Sequence, residues 1–105
     1  MTMSMIRQGD VLLTRVHALP PGVIRKPAAD GRVVLAYGEV TGHAHALDAA
    51  LSELFEARAG TLYLRASAGA HLVHEEHGAI ALDPGVYRVT RQREYAPDAI
   101  RPVAD

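Results

Sequence analysis

The chain has 105 residues, with 11 Lys and Arg, 12 Asp and Glu, six His and no Cys, so its formal charge is -1 with the imidazoles neutral. That length can bury roughly 60 to 70% of the unfolded surface without covalent staples, and the lack of cysteine excludes disulfide scaffolds and thiolate zinc modules, so any metal site must use nitrogen and oxygen donors. The near-zero charge argues against nucleic acid as a partner, no apolar run approaches a membrane span, and the start MTMSMIRQGD lacks a signal-peptide pattern, so the expected location is the cytoplasm.

Ile6 to Val16 carries a Gly9-Asp10 turn signal and the string VLLTRV, whose aliphatic and β-branched content suits a strand beside a sheet neighbour. Pro20-Pro21-Gly22 cannot continue a ladder, so a loop is expected from Ala18 to Arg32, ending in a tight turn at Asp30-Gly31. The stretch RVVLAYGEVTGHAHAL reads as one long strand bent at one or both of Gly38 and Gly42.

From Leu47 to Arg58 two readings compete. LDAALSELFEAR has high helix propensity, with Leu47, Leu51, Leu54 and Phe55 spaced along one helical face. Arg58-Ala59-Gly60 also separates ELFEA from TLYLRA as a glycine turn separates two strands of a hairpin. The hairpin is the preferred reading, with Leu62 and Leu64 on one face and Tyr63 and Arg65 on the other, before a turn at Ser67-Ala68-Gly69.

The remainder, AHLVHEEHGAIALDPGVYRVTRQREY, shows three short apolar runs broken at Gly78 and at Asp83-Pro84-Gly85, as in a β meander. The expected fold is therefore all-β: a small antiparallel barrel, roll or sandwich with at most one short helix. It occupies residues 1–105 as a single domain, with 96–105 an extended C-terminal tail.

Five of the six histidines fall between positions 43 and 77, and their spacing gives them meaning. Residues two apart on a strand share a face, so His43 and His45 would present imidazoles side by side, joined there by Glu39 and Thr41. Neutral imidazole suits borderline cations, and such a pair needs only one or two further donors to complete a Zn, Fe, Mn or Ni site. His74-Glu75-Glu76-His77 could supply them. It is not the helical HExxH motif, and on a straight strand His74 and His77 would face opposite sides, so a bulge or turn at Glu75-Glu76 must rotate one of them. Either glutamate could be a ligand, or fix an imidazole tautomer, or act as general base.

Two histidines from one strand, a third from another and a carboxylate on a small β fold resemble the cupin pattern. Departures are visible: Asp48 follows His45 by three residues where cupins place a glutamate four or five later, and His74 and His77 precede rather than follow the Pro-Gly turn. The resemblance implies an architecture and no particular activity. The strings GEVTGHAHAL, VHEEHGAIAL and PGVYRVTRQREY, with an opening like IRQGDVLL, also resemble a family of short, uncharacterised bacterial proteins. That resemblance implies that Gly38 to Tyr95 form one unit, and it implies no reaction.

Other chemistry finds little support. Ser4, Ser52 and Ser67 lack a nucleophile-elbow context, and no glycine-rich phosphate loop occurs. His17, isolated beside a proline turn, reads as structural, and His71 as a strand-surface residue. Arg88, Arg91 and Arg93 near Tyr95 form a basic stripe beside Glu94 and Asp98, better read as a charged edge strand than as an anion grip. The leading expectation is a divalent metal ion held by His43, His45, His74 and His77, with Glu75 or Glu76 as catalytic carboxylate acting on an unidentified small molecule. The second is a non-enzymatic assembly or partner-binding module whose histidines lie on a surface or interface, with a homodimer formed through exposed edge strands.

Overall fold

The computed structural model describes residues 5–38 and 40–92. Within them the chain is all-β, with no helix, built from ten strands: β1 (Met5–Gln8), β2 (Val11–Val16), β3 (Ile24–Lys26), β4 (Arg32–Tyr37), β5 (Ala44–Asp48), β6 (Ser52–Glu56), β7 (Leu62–Ala66), β8 (His71–His74), β9 (His77–Ala81) and β10 (Gly85–Arg91). No helix is long and apolar enough to cross a membrane among the described residues. A six-stranded sheet has the order β1-β2-β10-β7-β6-β3 and a four-stranded sheet the order β4-β5-β8-β9, and every strand pairing is antiparallel.

Alternation along the strands makes the shared core. Ile6, Val11, Leu13, Leu54, Leu64 and Tyr87 come from the larger sheet, and Val33, Leu35, Leu47 and Leu72 from the smaller, in one buried cluster. Each fully buried leucine here stabilises the fold by roughly 1.5 to 3 kcal/mol relative to exposure. Tyr87 is fully buried, and its hydroxyl donates to the Asp83 carbonyl four residues upstream at 2.6 Å, satisfying the phenol within its own corner.

The hairpin reading of the Leu47 to Arg58 region is correct: β6 pairs with β7 from Ser52↔Ala66 to Glu56↔Leu62, across a turn closed by Gly60 N–H donating to Ala57 O. Helix propensity there loses to cross-strand pairing and core burial. Asp30 and Gly31 both have positive φ, 54° and 73°, as a two-residue hairpin turn of this hand requires.

Four expectations are corrected. RVVLAYGEVTGHAHAL is not one bent strand but the β4–β5 hairpin. Gly38 N–H donates to His43 O at 2.8 Å and His43 N–H to Val40 O at 3.0 Å, closing a loop in which Thr41 lies in a turn rather than on a strand. The loop from Ala18 to Arg32 contains β3, a three-residue edge strand paired with β6; it has no buried periodicity to reveal it, and Ile24 is 72% exposed. The C-terminal meander does not form. Its first break falls at Glu75-Glu76, Gly78 lies inside β9, and β10 leaves the smaller sheet to pair between β2 and β7. For the same reason the strand carrying Arg88 and Arg91 is internal, not an edge. Glu39, the 96–105 tail and the stripe residues Arg93, Glu94, Tyr95 and Asp98 lie outside the described residues, as does Ser4.

Candidate metal centre

At one end of the sandwich the inward-facing rows of the smaller sheet change from apolar to imidazole. On β5, Leu47 packs in the core, His45 follows two residues earlier on the same face, and His43 precedes the strand. On β8, Leu72 is in the core and His74 follows two residues later. A two-residue turn at Glu75-Glu76 sets His77 directly opposite His74, and a register shift between Leu72 and His74 keeps His77 on the same side as Ile80, whose partner is Leu72.

The four imidazoles line one cavity of about 300 Å³ with Asp10, Gly38, Glu76 and Arg91. Their ring centroids lie close: His45 to His74 4.3 Å, His74 to His77 4.7 Å, His43 to His74 5.7 Å and His45 to His77 5.9 Å. Gly38 and Gly9 form the backbone walls. A Cβ on Gly9, which turns the chain at φ 59°, would stand 2.7 Å from His77 Nε2 and 3.2 Å from His45 Cε1.

His45 is 2% exposed, and its environment fixes its tautomer. The Gln8 amide donates from Nε2 to Leu72 O at 3.0 Å and to Gly78 O at 2.9 Å, so Gln8 Oε1 must be the acceptor facing His45 Nδ1 at 2.9 Å. His45 therefore donates from Nδ1, and in its neutral form directs the lone pair of Nε2 into the cavity, 3.4 Å from Asp10 Oδ1. Asp10 Oδ2 accepts from Arg91 Nε at 2.7 Å, and Arg91 Nη2 donates to the Tyr37 carbonyl.

These contacts set the charges. Burial and then the neighbouring His74 ring hold His45 below the ordinary imidazole range, against the pull of Asp10. Burial pushes Asp10 upward, but the hydrogen bond and charge of Arg91 outweigh it and leave the carboxyl below its usual value. Glu75 is also lowered, first by the Ala44 N–H that donates to its Oε1 at 2.9 Å.

One ligand atom from each of His43, His74 and Glu75 forms a set lying within 4.8 Å of one another. Donors about 2.1 Å from a tetrahedral ion stand about 3.4 Å apart, so this set must close somewhat around a cation, as exposed Glu75 can. His43 Nδ1 lies 3.0 Å from Glu76 Oε2, off the line of a hydrogen bond, and has no hydrogen-bond partner among the described residues. His74 is differently occupied: its Nδ1 accepts the Glu76 N–H at 3.0 Å, so the neutral ring carries its proton on Nε2. Ligation by His74 must displace that amide or that proton.

His43, His45, His74 and His77 thus share one cavity, Glu76 lines it, and Glu75 stands at its edge. His17 and His71 are exposed outside it, and His71 Nδ1 is engaged by Gly69 O. Ser52 Oγ donates to Asp48 O and is structural. Sequence reasoning missed Gln8, Asp10 and the role of Arg91. A signal for Gln8 was present, since period-two alternation places it on the same face as buried Ile6, and an amide in a core-facing row calls for partners.

No curated protein and no solved structure matches the chain. Residues 7–92 match the family described as "Domain of unknown function (DUF8820)", a span that takes in all ten strands except the first residues of β1. The chain belongs to this family.

Proposed function

We propose that this domain binds a divalent cation in the histidine-lined cavity, with His43, His74 and Glu75 as its primary donors and His45 and His77 completing the wall. The observation that carries the reading is the convergence of these three donor atoms within 4.8 Å from two separate hairpins. Two imidazoles and one carboxylate suit Zn, Fe, Mn or Ni and leave coordination positions for water or substrate. Glu76, beside His43 at 3.0 Å, is placed to take a proton from a bound water, which favours hydrolytic or oxidative chemistry on a molecule small enough for a cavity of about 300 Å³.

Equilibrium dialysis of untagged protein against each metal, followed by elemental analysis, tests this. Wild-type protein should retain metal and release protons on binding, and a His43→Ala/Glu75→Gln variant should lose that metal. A wild-type protein that retains none and shows no metal-dependent rise in melting temperature would remove the proposal.

A partner-binding reading is favoured by a different observation. Val40, 52% exposed, lines the cavity, and Tyr37, 67% exposed, directly precedes the lining Gly38 in sequence; exposed apolar side chains so close to the histidines suit a second copy or another protein. Sedimentation between pH 5 and 7 without metal separates the two, because only assembly through the histidines changes mass across that range.

A further inference from the structure

We infer that the cavity holds two cations rather than one, the second between His45 Nε2 and Asp10 Oδ1. This deepens the reading above and rests on it. His45 and Asp10 are absent from the three-donor group of His43, His74 and Glu75, yet they line the same cavity. They also come from different sheets, Asp10 from the β1–β2 turn and His45 from β5.

Three features mark the pair as a binding position. First, His45 is almost fully buried, and the Gln8 amide commits its Nδ1 as a donor, so that Nε2 is the ring nitrogen left to face the cavity and bind a cation there. A ring nitrogen fixed by a hydrogen bond at the other nitrogen is the arrangement that prepares histidine as a ligand. Second, that nitrogen faces a carboxylate oxygen at 3.4 Å. With the ring neutral these are two acceptors facing each other, which repel unless a proton or a cation lies between them, and 3.4 Å is about the separation that a tetrahedral ion imposes on two of its donors. Third, the carboxylate is already oriented. Arg91 holds Oδ2 at 2.7 Å, and the Asp10 carbonyl accepts the Gln92 N–H at 2.7 Å, which leaves Oδ1 directed at His45.

With two protein donors, the second position binds more weakly than the first and fills after it. Its remaining coordination sites belong to solvent or substrate, as in two-metal centres where a ligand is clamped from both sides. His74 stands between the two positions, its ring 4.3 Å from that of His45 and its donor atom in the first set.

Titration calorimetry with Zn²⁺, elemental analysis at saturation and ¹⁵N spectra of the histidine rings test the inference. Wild-type protein should bind two equivalents in two steps, and the His45 Nε2 resonance should move with the second. Asp10→Asn should remove the second equivalent, or weaken it about tenfold or more, and retain the first. His43→Ala/Glu75→Gln should weaken the tighter step while His45 still responds to metal. One equivalent lost only through His43 and Glu75, with the His45 resonance unmoved in wild-type protein, overturns the second position and leaves the proposed function intact. One equivalent lost equally in both variants shows a single shared ion and also overturns it. No binding at all overturns both. The wild-type spectra decide the matter even if Asp10→Asn disturbs the β1–β2 turn.

Discussion

Tyr87 and His45 are both withdrawn from water, at 0% and 2% exposure, and their polar groups are satisfied in opposite ways. Tyr87 donates its only proton to a carbonyl four residues away, so its hydroxyl proton is satisfied within its own stretch of chain. His45 is held by Gln8, 37 positions distant, and only at one nitrogen. The other nitrogen is directed into a cavity against a carboxylate. Burial alone therefore does not separate structural from functional polar groups. What separates these two is that one ring nitrogen of His45 faces an open cavity, whereas the Tyr87 hydroxyl faces the backbone.

The largest expected effect strikes the His45 side of this contrast. Gln8→Leu leaves the buried His45 Nδ1–H without its partner and takes one hydrogen bond from the Leu72 carbonyl and one from the part-buried Gly78 carbonyl, costing about 2 kcal/mol or more at roughly 1 to 3 kcal/mol for each fully buried group. Urea denaturation of metal-free protein would show it, and metal affinity should fall as well because the tautomer is no longer fixed. If stability drops while affinity holds, Gln8 is only a fastener between sheets. Tyr87→Phe should cost less, about 1 kcal/mol, through loss of the bond to Asp83, and should leave metal binding unchanged. A change in metal binding there would erase the distinction between the two groups.

The mildest test near neutrality is pH. His45 has a folded-state pKa below its ordinary 6.5, so the unfolded chain takes up the proton more readily; this part of the stability is complete above pH 6.5 and is lost as pH falls below it. Tyr87 is shifted upward from 10.0 by burial, so its contribution is complete below pH 10 and is lost as pH rises beyond it. Thermal melts of metal-free protein should therefore decline at both ends. Gln8→Leu should alter the acid limb and Tyr87→Phe remove part of the alkaline limb.

Much of this architecture could be read from local patterns. Gly60 and the alternation of TLYLRA outweighed the helical composition of LDAALSELFEAR, and Asp30-Gly31 marked its turn without help from distant residues. The i,i+2 histidines and the HEEH string likewise stood out by spacing alone. What stayed hidden depends on contacts between remote parts of the chain. β3 is held at an exposed edge by pairing with β6 and by ion pairs such as Lys26 with Glu56, neither of which leaves an apolar rhythm. The switch of β10 to the other sheet follows from Val86 to Arg91 pairing with β2, not from anything inside its own seven residues. Gln8 and Asp10 are ordinary turn-flanking residues until the second sheet brings His45 to them.

The clasp between Asp10 and Arg91, reinforced by the Gln92 N–H on the Asp10 carbonyl, joins positions about eighty residues apart. Its consequence concerns the order of events during synthesis. The oriented carboxylate cannot exist before Arg91 has been made, some eighty residues after Asp10, and bringing such distant points together is slow for any chain. A nascent or truncated chain ending before β10 would present its histidines beside an Asp10 that nothing yet orients, and full capacity for ligand arrives only with β10.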